Sequence, residues 1–361
     1  MGKKLFLIGN GFDLAHELPT RYLDLLKWLY ENDEATFNNL NKLLLRNYDK
    51  KRDSRRYKES LSKIEDSIQG IDEDTEKEKG FKILKSFEDP YALYAIWQSL
   101  EDYLYLVFLD EEIENAFLER ESIRQTLEDE EYGQVTEEDI DVIYRPEQEH
   151  LDKLTKLAEN FKYDLEHWVD IVNDKIPWIY DIMENKNEHG KKKLALLPDN
   201  YFKEDDYIIN FNYSNTIEKL YLMDNVFHIH GKDDYYNPPI MGHTDSISQM
   251  GIYDERTLVL VDEFYKDFNS IIESNNDYFS KINNVGEIVV LGMGYTETDE
   301  IYFKKINKML PTAKWKLYYY SDEDLRKAKR YVDDIGIESY DYISLQEDSP
   351  YTNIVRYDLD D

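Results

Sequence analysis

The chain opens with a continuous apolar run, Leu5-Phe6-Leu7-Ile8, that stops at Gly9. A run without alternation, bounded by glycine, reads as a strand buried on both faces. From about Tyr22 to Asn200 the pattern changes. This zone is rich in Leu, Glu, Lys and Tyr and poor in Gly and Pro. Tyr22–Tyr30, Tyr91–Leu109 and Leu151–Ile182 carry apolar residues at helical spacing. Tyr94, Trp97, Leu100, Glu101, Leu104 and Phe108 fall mostly on one helical stripe, which reads as core packing rather than a ligand box. Two charge-rich stretches, Asp49–Lys79 and Asp110–Glu149, read as exposed helices or mobile loops.

From about Tyr201 short apolar runs alternate with helical patterns. Tyr207-Ile208-Ile209 leads into Asn210-Phe211-Asn212, and Val226-Phe227-His228-Ile229-His230 ends at Gly231. Glu287-Ile288-Val289-Val290-Leu291 ends at Gly292, and Lys316-Leu317-Tyr318-Tyr319-Tyr320 ends at Ser321-Asp322, a good N-cap pair. A helix over Asp322–Val332 and a last strand at Asp341-Tyr342-Ile343 follow. Strand–helix alternation predicts a parallel sheet with crossover helices. The simplest architecture is α/β: a Rossmann-like parallel sheet from residues 1–21 plus 201–361, with residues 22–200 as a large, mainly helical insertion after the first strand. An unstructured loop of that length would be implausible.

Composition narrows the partners. The chain has 361 residues, 41% of them hydrophobic, enough for one large domain with an insertion or for two ordinary ones. Asp plus Glu number 77 against 44 Lys plus Arg, a net charge of −33. That charge repels nucleic acid and anionic membrane over most of the surface, so neither is an expected partner. An anionic ligand then needs a locally favourable pocket, such as backbone N–H groups at a helix start. Cysteine is absent, which excludes disulfides, thiolate zinc sites and cysteine nucleophiles, and fits a reducing cytoplasm. The first apolar run is too short for a secretory signal core, and no stretch is long enough to span a bilayer. The expected location is cytoplasmic.

Four motifs could carry chemistry. Gly9-Asn10-Gly11-Phe12-Asp13 follows the first strand, where glycines let a backbone approach a phosphate closely. Leu14 stands where the dinucleotide fingerprint wants its third glycine, so an ordinary tight turn is the competing reading. Asn210 and Asn212 share a face of the strand, because side chains alternate, and Asn212 falls at its carboxyl end. The bland alternative is a polar strand end with Ser214 or Asn215 capping the next helix. His228 and His230 also share a face by alternation. They suit acid–base work, or a metal site completed by His243 or an acidic residue, or simple structural burial. Gly292-Met293-Gly294-Tyr295 is a second glycine turn, with Thr296 or Thr298 available as an N-cap. Parallel strands bring all four ends to one sheet edge, so Asn212, His230 and the Gly9–Gly11 loop are expected to converge on one pocket.

The order of glycine loop, strand-end Asn, strand-end His-Gly and glycine turn resembles the sirtuin-like NAD-binding fold. The residues concerned are Gly9-Asn10-Gly11 followed by Leu18-Pro19, then Asn212-Tyr213-Ser214, then His230-Gly231. The chain is more closely similar to the AbiH family of phage-resistance proteins. That likeness rests on Leu7-Ile8-Gly9-Asn10-Gly11-Phe12-Asp13-Leu14-Ala15-His16 with Leu18-Pro19-Thr20, on Phe211-Asn212-Tyr213, on His228-Ile229-His230-Gly231 and on Ile240-Met241-Gly242-His243. The middle matches only around Trp97–Glu101 and Trp168. Asn10 replaces the sirtuin Ala, Ser214 replaces an Asp, and Tyr295 stands where many relatives carry Ser. Without a thiolate zinc ribbon, protein deacylation is not expected.

The resemblance implies an antiphage, abortive-infection protein that depletes NAD by hydrolysing its nicotinamide–ribose bond. On that reading Asn212 and His230 are catalytic: Asn212 orients water or ribose hydroxyls and His230 takes a proton. Gly9, Asn10, Gly11 and Phe12 offer backbone contacts to the diphosphate, and Asp13 meets a ribose hydroxyl or caps the turn. Gly231, Gly292 and Tyr295 complete the nucleotide site. NAD is the substrate and no metal is expected. A phage-derived trigger or partner protein and a homo-oligomer are both compatible with this reading. Two alternatives stand beside it. One is a module that holds NAD or another nucleotide as a signal, with the insertion contacting a partner. The other is a metal-dependent nucleotide hydrolase using His228, His230 and His243.

Overall fold

The computed structural model describes residues 2–50, 81–98, 100–104, 107, 137–184, 191–198, 200–232, 237–242, 264–282, 284–351 and 353–357. Most of the two charge-rich stretches, together with His243 and Phe108, lies outside these residues. Contacts divide the chain into two compact units. One comprises residues 1–21, 166–240 and 267–361, and the other residues 22–165 and 241–266. The long helix Glu137–Glu184 contributes to both. The expected junction near residue 200 therefore falls inside the first unit, and a segment after Ile240 joins the helical unit.

The first unit holds a six-stranded, all-parallel sheet, as the alternating pattern predicts. Its strands are β1 (Lys3–Ile8), β3 (Tyr207–Asn210), β4 (Val226–His228), β5 (Val285–Leu291), β6 (Lys314–Tyr319) and β7 (Tyr340–Ser344). Their order is β4-β3-β1-β5-β6-β7. β1 sits between β3 and β5, with Ile8 level with Asn210 on one side and Leu291 on the other. Its apolar run is explained by this position, because both faces are covered. Leu5 and Leu7 join a core with Ile288, Val290, Trp315, Tyr302 and Tyr331. Phe6 and Ile8 join a second core with Phe12, Phe202, Ile217 and Leu291.

The chain builds β3 and β4 outward from one side of β1, and β5, β6 and β7 from the other. Helix Asn10–Ala15, after β1, buries Phe12 in one core, while helix Glu300–Met309, after β5, buries Tyr302, Phe303 and Ile306 in the opposite one. Adjacent strands whose connections leave to opposite faces form a topological switch point, where open α/β sheets place ligands. Here it lies between the carboxyl ends of β1 and β5.

Two expectations are refined. Helix Asp322–Ile335 runs further than expected, and Ser321 caps it in a full capping box with Asp324. A second sheet, not read from the sequence, pairs β2 (Lys191–Leu196) antiparallel with β8 (Asn353–Tyr357). In the helical unit, Tyr94, Trp97, Leu100 and Leu104 are buried, so their stripe is core packing. Trp97 Nε1 donates to Asn41 Oδ1 at 2.7 Å, and buried Lys266 pairs with Glu101 at 2.7 Å.

Urea unfolding ranks these features. Truncating the buried ring in Phe6→Ala costs about 3–5 kcal/mol, whereas losing the cap in Ser321→Ala costs about 1 kcal/mol. A smaller loss for Phe6→Ala than for Ser321→Ala contradicts the central placement of β1.

Candidate functional site

The two glycine turns pack directly on each other. The Gly9 amide donates to the Leu291 carbonyl at 3.0 Å and the Gly11 amide to the Gly292 carbonyl at 2.8 Å. A Cβ on Gly11 would meet Gly292 Cα at 2.9 Å, and one on Gly9 would meet the Gly292 carbonyl oxygen at 2.7 Å. Gly292 adopts φ +73°, and a Cβ there would lie 2.3 Å from the Phe12 nitrogen. Glycine is demanded at this crossing by backbone contact and positive φ alone. The Phe12 amide donates to the Gly9 carbonyl at 2.9 Å. Three of the four amides expected to serve a diphosphate, those of Gly9, Gly11 and Phe12, are thus already engaged. Asn10 begins the helix, and its side chain donates to the Thr20 carbonyl at 3.0 Å.

The strand-end asparagines sit beside this crossing. β3 ends at Asn210, and the Asn212 amide donates to Asn210 Oδ1 at 3.0 Å, an Asx turn rather than continued strand. Asn212 Nδ2 donates to the Gly9 carbonyl at 3.1 Å, which joins β3's end to the first glycine turn. Neither cap expectation for the next helix, Thr216–Tyr221, is realised through a side chain. Asn215 holds the N-cap position without a side-chain bond, and Ser214 Oγ donates to Asp13 Oδ2 at 2.5 Å.

The two histidines part company. β4 ends at His228, so alternation does not carry through to His230. His228 Nδ1 lies 2.9 Å from the Asn212 carbonyl oxygen and Nε2 lies 2.7 Å from Glu218 Oε1. His230 instead sets its ring edge-on to Phe211 and against Tyr302, with centroids 5.6 and 5.8 Å away. Its Nε2 lies 3.7 Å from Asp299 Oδ1, while Asp299 Oδ2 accepts from Thr296 Oγ at 3.0 Å. Sequence alternation placed the pair on one face. The turn at Ile229 separates them, and no metal-binding group of three or more His and acidic residues forms among the described residues.

Gly231 turns at φ +76° directly beneath the Pro238 carbonyl, closing the loop after His230. Tyr295 also has positive φ, 51°, yet its ring is buried against Tyr331 and its hydroxyl donates to the Tyr318 carbonyl at 3.0 Å. The side chain of Tyr295 therefore serves the core, and only its backbone faces the second glycine turn. Asp299 and the Asp13–Ser214 bond were not assigned from the sequence, and Glu218 was matched to the sirtuin pattern without a role. The signal for Asp299 was present, since it stands at the start of a helix that follows a glycine turn.

Asp13 and His16 are buried on helix Asn10–Ala15 and its C-cap. Burial pushes the Asp13 carboxyl up to about 6, against hydrogen bonds from Ser214 and Thr216 that lower it. Asp13 Oδ1 has no hydrogen-bond partner among the described residues. Burial pulls His16 down to about 4, opposed by the Phe12 carbonyl. Neutral His16 donates from Nδ1 to that carbonyl at 2.7 Å and accepts at Nε2 from the Tyr221 hydroxyl at 2.6 Å.

These two groups tilt stability in opposite directions. Below about pH 6 the folded state binds an Asp13 proton that the unfolded chain still releases, so Asp13 favours folding more as pH falls. Between pH 6.5 and about 4 the unfolded chain takes up a His16 proton that the fold refuses, so His16 favours folding less as pH falls. Each contribution is on the order of 3 kcal/mol across its window. Relative to the native chain, Asp13→Asn should therefore lose stability from pH 6.5 to 4, and His16→Gln should gain it. Urea unfolding across that range checks both, and slopes of the same sign contradict the assignment.

The profile of the bacteriophage abortive infection AbiH family matches residues 5–320. That span runs from inside β1 to the residue after β6 and contains all four strand-end motifs. No curated protein matches the chain. Because the match covers most of the sequence, including every residue of the edge just described, the chain belongs to the bacteriophage abortive infection AbiH family.

Proposed function

We propose that this AbiH protein acts in abortive infection by hydrolysing NAD at the nicotinamide–ribose bond. The observation that carries the reading is the pairing of His230 with Asp299, 3.7 Å apart, at the same sheet edge as Asn212. A histidine backed by a carboxylate is an arrangement suited to taking a proton and holding the imidazolium that results.

The chemistry asks little of an acid. The C1′–N bond breaks with its electron pair leaving to the nicotinamide ring, which becomes neutral. An oxocarbenium-like ribose remains, and water adds to C1′. His230 takes the proton from that water, Asp299 steadies the imidazolium, and Asn212 orients the water or a ribose hydroxyl. The products are nicotinamide, ADP-ribose and a proton. The glycine turns serve as a packed floor for this chemistry. Diphosphate contact through the amides of Gly9, Gly11 and Phe12 would require the two turns to part.

A second reading, nucleotide binding without turnover, is favoured by one observation: Asn212 Nδ2 is already committed to the Gly9 carbonyl. Purified protein incubated with NAD, with and without chelator, separates the readings through nicotinamide release. The proposal predicts release that ignores chelator and falls at least ~100-fold in both Asn212→Ala and His230→Ala. Binding of NAD without release supports the second reading. Release abolished by chelator supports a metal-dependent hydrolase, and release that survives in both variants overturns the catalytic assignment.

A further inference from the structure

His228 sits between two acceptors. Nδ1 faces the Asn212 carbonyl oxygen at 2.9 Å, and a backbone carbonyl can only accept. Nε2 faces Glu218 Oε1 at 2.7 Å, and an ionised carboxylate likewise only accepts. The ring is almost wholly buried, with 1% of its side chain exposed, so water does not relieve either contact. Lys232 Nζ lies 3.9 Å from the same Glu218 oxygen. Asp13, from helix Asn10–Ala15, adds a second acidic neighbour that interacts electrostatically with His228. A neutral imidazole has one donor and would turn a bare lone pair toward one of these oxygens. An imidazolium has two donors and satisfies both.

We infer that His228 carries protons on both ring nitrogens and acts as a charged clamp, anchored on Glu218, that fixes the Asn212 strand end from behind. Its role is positioning. The Nδ1 proton holds the Asn212 carbonyl while the Asn212 side chain, on the other side of the same residue, reaches Gly9. When the extra proton leaves, the remaining one stays on the charge-assisted bond to Glu218, which is the stronger of the two. The Asn212 carbonyl then loses its donor, and the segment keeps only the bonds of the Asn212 amide and side chain. The state of the site becomes conditional on one proton. Under the NAD-hydrolysis reading, on which this functional consequence rests, turnover falls on the alkaline side for that reason.

Glu218→Gln tests the clamp by its stereochemistry. A glutamine can turn its NH₂ toward Nε2, so a neutral ring protonated only at Nδ1 satisfies both neighbours and keeps the Asn212 bond. Nitrogen-15 NMR of the His228 ring reads the protons directly, and the Tyr213 amide, attached to the Asn212 carbonyl, reports the bond. In the native chain at neutral pH both ring nitrogens should carry protons. Raising the pH should remove the Nδ1 proton and shift the Tyr213 amide together. In Glu218→Gln the Nε2 proton should be missing at neutral pH, with the Nδ1 proton and the Tyr213 shift persisting to alkaline pH. A native ring with a single proton at neutral pH overturns the inference, as does a variant that loses the Nδ1 proton in parallel with the native chain. Should Glu218→Gln fail to fold, the native titration alone decides. The spectra require no NAD, so absence of nicotinamide release would sink the hydrolase reading while leaving this inference standing or falling on its own data.

Discussion

The backbone contact between the two glycine turns sets the geometry of the whole sheet edge. The Gly11 amide bonds the Gly292 carbonyl, and no side-chain carbon fits on either side of that contact. It locks the carboxyl ends of β1 and β5 together at the one place where the strand order reverses. In many open α/β sheets that place is a crevice for a ligand. Here two backbone hydrogen bonds join the strand ends, from the Gly9 amide to Leu291 and from the Gly11 amide to Gly292. The groups proposed to react stand on the neighbouring chain segments. Asn212 bonds the Gly9 carbonyl, and Asp299, eight residues from Leu291, stands opposite His230.

Around this floor the protein buries a cluster of polar groups. Asp13, His16, Asn210, Asn212, Ser214, Thr216, His228 and His230 are all buried. Such burial is costly unless each group finds a partner. Most are tied into short chains: Asp13 to Ser214 to Thr216, His16 to Tyr221 to the Leu197 amide, and Glu218 to His228 to the Asn212 carbonyl. These chains make the edge rigid and make its charge state matter. Asp13 and His16, three residues apart on one short turn of helix, are each pushed by burial toward their uncharged form. Tyrosine abundance finds part of its explanation here, since partly buried Tyr221 and buried Tyr295 each pack a ring and spend the hydroxyl on a hydrogen bond.

The fold was legible because hydrophobic periodicity is a signal of the chain's own making. Leu5 to Ile8 read as a strand buried on both faces, and the runs before Asn210, Gly292 and Ser321 each announced a parallel strand with a helix after it. What sequence could not supply was pairing in space. Alternation put His228 and His230 on one face, but it assumed a strand that stops two residues earlier. The glycines read equally as phosphate loop or tight turn, and the opposing backbone of Gly292 that packs on them leaves no mark in the local sequence. Tyr295 occupied a motif position yet turns its ring into the core, because packing against Tyr331 is invisible in a single sequence. The β2–β8 pair joins segments more than 150 residues apart, with no local pattern to announce it.

The central claim is that the crossing of Gly9 and Gly11 with Gly292 is closed backbone rather than an open phosphate cradle. Amide hydrogen exchange at Gly9 and Gly11 tests it most directly, in the chain without nucleotide. The account predicts that both amides exchange as slowly as those of Leu7 and Val290 in the central strands, because opening them requires β1 and β5 to separate. Exchange at the rate of an exposed loop, slowed only when nucleotide is added, would contradict it.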